Sequence, residues 1–258
     1  MNTPRSLRML LLAAALMPAC EKNAVTDITD SEPGSARVKF FNFGVNAPAV
    51  NFYANDAKIT AISSTTGTES TTGVNYGGVG SGGFYSALAP GTYTLSARIA
   101  AATDKDLAIS NVQATLVDGM HYSFYQSGFY NATARNVEAF VVEDPFPAEF
   151  DYSAAYVRFV HAISNANPMT LFAKLTTAAT EVAVGGAVAY KAAGAFTSLP
   201  PGNYDLSTRY TGSATNVISR TAVSFEEGRV YTIAARGDIT VTSATATNRP
   251  FLDNTANR

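Results

Sequence analysis

Residues 88–98 read "LAPGTYTLSAR" and residues 199–209 read "LPPGNYDLSTR", with seven of the eleven positions identical at a separation of 111. In each copy a Pro-Gly pair forms a turn. Proline presets φ at the first central position, and glycine supplies the positive φ that a type II turn needs next. After Gly91, Tyr93, Leu95 and Ala97 alternate with Thr94, Ser96 and Arg98. A period of two describes a strand with one buried face. Tyr204, Leu206 and Thr208 repeat the pattern against Asp205, Ser207 and Arg209. A Gly-x-Tyr entering a strand fits either a hairpin with a core tyrosine or a tyrosine corner, whose hydroxyl bonds backbone around the bend.

Three further blocks correspond, so the body of the chain is a duplication. Residues 36–42, "ARVKFFN", match residues 155–161, "AYVRFVH", at an offset of 119. "GMHY" at 119–122 matches "GRVY" at 228–231, and "EDPF" at 143–146 matches "NRPF" at 248–251. The shrinking offset places extra loop residues in the first copy. Most of them fall in the Ser/Thr/Gly-rich stretch 63–83, which reads as a long loop. Strands are expected near 36–42, 49–54, 57–62, 82–87, 92–100, 107–116, 121–127 and 137–143. In the second copy they are expected near 155–161, 168–174, 180–191, 194–199, 203–211, 216–224, 229–236 and 239–246. This count predicts an all-β chain of two tandem Ig-like antiparallel β-sandwich domains, over 36–150 and 151–258, each able to fold alone. "EDPFPAEFDYS" between them is a short, stiff linker, because two prolines flank Phe146.

The first residues, "MNTPRSLRMLLLAAALMPAC", place Arg5 and Arg8 before an apolar run that ends at Cys20. This order predicts a signal peptide over 1–19, too short to span a membrane. Cys20 is the single cysteine of 258 residues, so no internal disulfide is possible. The stretch resembles a bacterial lipobox, which implies cleavage before Cys20 and lipidation of its thiol, with Met17 and Pro18 departing from the commonest pattern. Residues 20–35 would then form a lipidated flexible tether. Such cleavage leaves 16 basic against 20 acidic residues, a net charge of −4. A mildly acidic body without a basic patch argues against a nucleic-acid partner.

"ARVKFFNFGVNAPAVNFYAND", with "LAPGTYTL" and "LVDGMHYSF" further on, resembles repeats of the domain-of-unknown-function 4397 family. That family opens on Arg-Val-Arg-Phe-Val-His-Ala and continues Pro-Asp-Ala-Pro-Ala-Val-Asp-Val. The second copy keeps 157–162 as "VRFVHA", and the first keeps 46–51 as "NAPAVN", with Asn where Asp is usual. The resemblance spans about residues 36–258 and implies exported, often lipid-anchored, Ig-like modules without established biochemistry.

Catalytic constellations are thin. Gly78-x-Gly80-x-x-Gly83 matches the dinucleotide fingerprint formally, but a strand and a Pro-Gly turn follow it where a helix is required. His121 and His161 occupy non-equivalent strands of different copies, an arrangement that does not converge on a metal. Acidic pairs occur at Asp104/Asp106 and Glu226/Glu227, with Glu143, Asp144, Glu149 and Asp151 gathered in the linker, a set that reads as solvated charge ahead of a calcium site. The first copy carries an aromatic excess, "HYSFYQSGFY" at 121–130. Tyr125 aligns with Ala234, Phe129 with Asp238 and Tyr130 with Ile239. Tyr125, Phe129 and Tyr130 are therefore the candidate ligand-contact patch, against extra core filling.

These readings predict a lipid-anchored bacterial envelope protein, with no metal or cofactor expected, that acts as a non-catalytic structural or adhesive module. Its expected partners are the membrane, through the lipid, and an envelope protein or glycan. The alternative is a surface glycan-binding lipoprotein; an enzyme is not expected.

Overall fold

The tyrosine-bearing strands of the two copies occupy matching positions in two matching sandwiches. The computed structural model describes residues 34–60 and 72–258. The expected signal peptide, Cys20 and nearly all of the tether lie outside them. The first copy contributes β1 (Ala36–Val45), β2 (Val50–Ala54), β3 (Ala57–Lys58), β4 (Gly78–Val79), β5 (Ser86–Leu88), β6 (Gly91–Ile99), β7 (Ala108–Leu116), β8 (His121–Asn131) and β9 (Asn136–Glu143). The second contributes β10 (Ala155–His161), β11 (Met169–Leu175), β12 (Val182–Val188), β13 (Ala192–Ala193), β14 (Thr197–Leu199), β15 (Gly202–Tyr210), β16 (Ile218–Phe225), β17 (Val230–Arg236) and β18 (Phe251–Ala256). The described chain is all-β, with four antiparallel-rich sheets arranged as two sandwich-like units.

The two halves share one topology. An outer sheet has the order β3-β2-β6-β7 in the first and β12-β11-β15-β16 in the second. An inner sheet has the order β4-β1-β8-β9 with β5 also on β1, and β13-β10-β17-β18 with β14 also on β10. At the centre of each inner sheet the pairing is parallel: β1 with β8 from Arg37↔His121 to Val45↔Phe129, and β10 with β17 from Tyr156↔Val230 to His161↔Ala235. A parallel pair needs a long crossover. Here the whole outer sheet supplies it.

The tyrosine corner is present twice. The Tyr93 hydroxyl donates to the Ala89 carbonyl at 2.9 Å, and that of Tyr204 to the Pro200 carbonyl at 2.6 Å. Gly91 and Gly202 take φ of 152° and 151°, a positive-φ backbone that a side chain rarely adopts.

Each half has its own core. Val38, Phe40, Phe52, Leu95 and Phe124 pack in the first, and Val157, Phe159, Leu171, Leu206 and Ile233 in the second. A third core lies between the inner sheets, made by Phe41, Phe43, Tyr125 and Phe140 of the first half against Val160, Ala162 and Ala234 of the second. On β1, even-numbered residues therefore face the first core while Phe41 and Phe43 face the second sandwich. Both faces are buried from Val38 onward, so Phe40, Phe41 and Phe43 follow no strict apolar–polar alternation. Residues Ser35–Arg258 accordingly form one compact unit. Separating the halves near residue 150 would expose the third core, so each half alone is expected to melt below the pair.

The segment 239–246, expected as the last strand, is irregular, and β18 begins at Phe251. Asp238 explains the difference. Its carboxylate accepts from the Thr240 amide at 3.0 Å, the Thr240 hydroxyl at 2.7 Å and the Asn165 amide group at 2.8 Å. These local bonds compete with the sheet ladder. The register corrects one repeat equivalence as well. Tyr122 pairs with Glu143 and its equivalent Tyr231 with Ala256, so Glu143-Asp144 corresponds to Ala256-Asn257, not to Asn248-Arg249.

Tyr204 is 2% exposed, whereas Tyr93 is half-buried. Tyr204→Ala is expected to cost about 3–5 kcal/mol as a core aromatic truncation, and Tyr93→Ala less. Tyr204→Phe should lose only about 1 kcal/mol, the worth of one hydrogen bond. Urea unfolding of the three variants checks this order, and equal losses at Tyr93 and Tyr204 would refute it.

Candidate functional site

The corrected equivalence exposes a reciprocal polar cluster between the inner sheets. Lys39 on β1 and Arg158 on β10 are equivalent residues, and both side chains are buried at the junction. Each reaches the other half at the end of its last strand. The Arg158 Nη1 donates to the Glu143 carbonyl at 2.8 Å, and Nη2 pairs with the Asp144 carboxylate. Lys39 Nζ donates to the Ala256 carbonyl at 2.6 Å and to Asn257 Oδ1 at 3.1 Å. The two cations are thus exchanged between the halves.

Hydroxyls complete the shell. Asp144 Oδ2 accepts from the Tyr85 hydroxyl at 2.6 Å and from Ser123 Oγ at 2.8 Å. Thr232, the equivalent of Ser123, accepts at Oγ1 from Arg158 Nε at 3.0 Å and Asn257 Nδ2 at 2.7 Å. Lys39 Nζ lies 4.4 Å from the Tyr85 ring centroid, and the Arg158 guanidinium lies 4.9 Å from that of Phe196. Phe146 of the linker bridges the rings of His121 and Phe196, at 4.7 and 6.0 Å.

The electrostatics follow from burial. Desolvation lowers the Lys39 pKa to about 8; Asp144 opposes the shift and Arg158 adds to it. Burial, then the Asp144 charge, pushes the Tyr85 phenol far up, so it stays a donor. Burial, with Arg37 next, lowers His121. Asp144, one of the four linker acids, is therefore neutralised by Arg158 and two hydroxyls. Asp151 instead accepts from the Ser153 amide and hydroxyl, at 2.8 and 2.7 Å. The linker acids do not converge, and among the described residues no group of three or more His, Cys, Asp or Glu is placed to hold a metal ion.

The three patch residues separate. Tyr125 is fully buried in the third core, stacked between Phe41 at 4.6 Å and Phe140 at 5.1 Å. This corrects its placement in a ligand patch. A ring there fills the space that small Ala234 leaves across the junction. Phe129 is 44% exposed, and Tyr130 packs half-buried on the first core. Cys20 lies outside the described residues. Gly80–Gly83 form a 3₁₀ turn that leads to β5, not to a helix. Asp106 accepts from the Tyr53 hydroxyl at 2.6 Å, Asp104 pairs with Arg135 at 2.8 Å, and Glu226 with Arg229 at 3.2 Å. The junction cluster escaped sequence reasoning because its members are 218 residues apart in the case of Lys39 and Asn257. The available signal was asymmetry: Phe41, Phe43 and Tyr125 stand opposite Val160, Ala162 and Ala234 at equivalent positions.

His161 Nε2 faces the Asn167 carbonyl at 3.1 Å, and Nδ1 accepts from the Ile163 amide at 3.2 Å. Only the neutral ring with its proton on Nε2 satisfies both.

Two expectations follow. Asp144→Ala leaves Arg158 as an unpaired buried cation and should cost about 3–5 kcal/mol, while Asp144→Ala with Arg158→Met should cost less than the single change. Urea melts of the two variants measure this, and an additive or worse double variant would contradict the ion pair. Burial lowers the His161 pKa below 6.5, with the Asn167 carbonyl partly opposing. The unfolded chain then binds more protons just below 6.5, so stability present above that pH is lost on acidification. Melting midpoints should fall as pH drops through 6, and His161→Asn should flatten that slope.

Among solved structures the chain is similar to "The Bacillus anthracis TIE protein", at 13% identity over 80% of this chain and 34% of that one, with a TM-score of 0.25. It is also similar to a leucine-rich repeat protein from Bacteroides thetaiotaomicron VPI-5482, at 10% identity over 81% and 26% of the respective chains, with a TM-score of 0.20. The chain thus spans about a third and about a quarter of their lengths. No curated protein matches it. Residues 155–258, the whole second sandwich, match the family model described as "Domain of unknown function (DUF4397)".

Proposed function

We propose that this protein is a lipid-anchored bacterial envelope protein built from two tandem copies of that domain, acting as a non-catalytic structural or adhesive module. The reciprocal junction cluster carries the reading. Its lysine, arginine, aspartate and tyrosine are committed to holding two sandwiches together as one rigid body. A rigid pair on a polar tether supplies reach and surface without chemistry. The first half follows the topology of the matched second half strand for strand, which supports two copies. The outer sheets each carry an arginine stacked on an aromatic ring, Arg98 on Tyr53 at 4.3 Å and Arg209 on Phe172 at 4.5 Å, as contact surfaces facing away from the junction.

A glycan-binding role is the second reading, and exposed Phe129 favours it, because an open aromatic face can stack on a sugar ring. A glycan array of the native protein beside Phe129→Ala separates the two: binding lost in the variant favours the second reading, and no binding favours the first.

Anchoring is tested at Cys20. The native chain should partition with membranes and carry lipid on its N-terminal peptide by mass spectrometry. Cys20→Ser should abolish the label and leave precursor or soluble protein. A native N-terminus without lipid would remove the anchor from this reading.

A further inference from the structure

The two halves of the junction cluster match position for position except in charge. In one half Arg158 meets the Asp144 carboxylate; in the other, Lys39 meets the Asn257 carboxamide. The cluster therefore holds two basic side chains and one acid. Lys39 is 1% exposed, and a buried ammonium facing a neutral amide keeps a large desolvation cost. That cost disappears if Lys39 is neutral, and permanently so if its nitrogen becomes an amide.

The two side chains are already in hydrogen-bond contact. Nζ lies 3.1 Å from Asn257 Oδ1, and the Asn257 amide nitrogen is held at 2.7 Å by Thr232 Oγ1, which fixes the carboxamide. We propose that Lys39 and Asn257 condense into an intramolecular isopeptide bond that ties the first strand of the first sandwich to the residue following the last strand of the second. The neutral Lys39 amine attacks Asn257 Cγ, so a Cγ–Nζ bond forms and the Cγ–Nδ2 bond breaks. One Nζ proton passes to the departing nitrogen, which leaves as ammonia and takes up the proton that the Lys39 ammonium shed. Nothing is oxidised or reduced, and the chain loses about 17 Da, one ammonia, as expected for an amine nucleophile displacing an amide nitrogen. Burial favours the start of the sequence: with a pKa of about 8, about a tenth of Lys39 is free amine at pH 7. The bond is independent of the envelope reading, and its absence would leave that reading intact.

The test is peptide mapping of the full chain, denatured and digested with trypsin. A bonded Lys39 is not cleaved, and trypsin does not cut Arg249 before Pro250. The expected product is therefore residues 38–58 joined to residues 237–258, lighter than the two peptides together by about 17 Da. Lys39→Arg and Asn257→Ala should each abolish the joined peptide while circular dichroism still reports a β fold. Native protein yielding mainly separate peptides 40–58 and 237–258, the latter unchanged or deamidated, would overturn the proposal.

Discussion

Arg158 is the constraint around which the molecule is organised. Its side chain is fully buried, and removing a guanidinium from water costs several kcal/mol unless every donor is met. The donors are met only by residues of both halves: the Glu143 carbonyl and Asp144 from the first, and Thr232 from the second. Neither half could bury this residue alone at a tolerable cost. The ion pair therefore specifies how the sandwiches meet more than it stabilises them, since apolar side chains of the same volume would serve stability equally well.

Around this polar centre the apolar junction supplies the net driving force. The first sandwich presents large rings and the second presents Val160, Ala162 and Ala234, so protrusions meet recesses. A duplicated module would otherwise set like against like and leave voids or clashes. Divergence at equivalent positions, Phe41 against Val160 and Tyr125 against Ala234, removed that conflict. The same logic explains the fully buried inner strands. Each inner sheet has a sandwich core on one face and the junction on the other, and its central pair is parallel as two-sided burial permits.

The junction sets the inner surfaces apart from the rest. Inner faces are occupied by the junction, while Phe129, near the end of β8, is exposed. Lys39 and Tyr85, two groups whose pKa values move far, sit at the junction, where burial shifts them. Perturbed groups are functional candidates only when something beyond the scaffold uses them. Here Lys39 is held by the strand end of the opposite repeat and Tyr85 by Asp144 of its own.

The sequence by itself determined the repeat, the strand periodicity and the Pro-Gly-x-Tyr corner, because these depend on φ, on alternation and on contacts a few residues apart. It also revealed the aromatic asymmetry at Tyr125 without its meaning, since a ring replacing Ala234 reads alike as ligand patch and as interface. Tertiary structure alone decided that this ring is buried, that β18 starts at Phe251, and that Asp144 corresponds to Asn257. Those facts rest on strand register and on contacts between the two halves. A shared "PF" dipeptide misdirected the alignment because local identity carries no information about which residues face each other across a sheet.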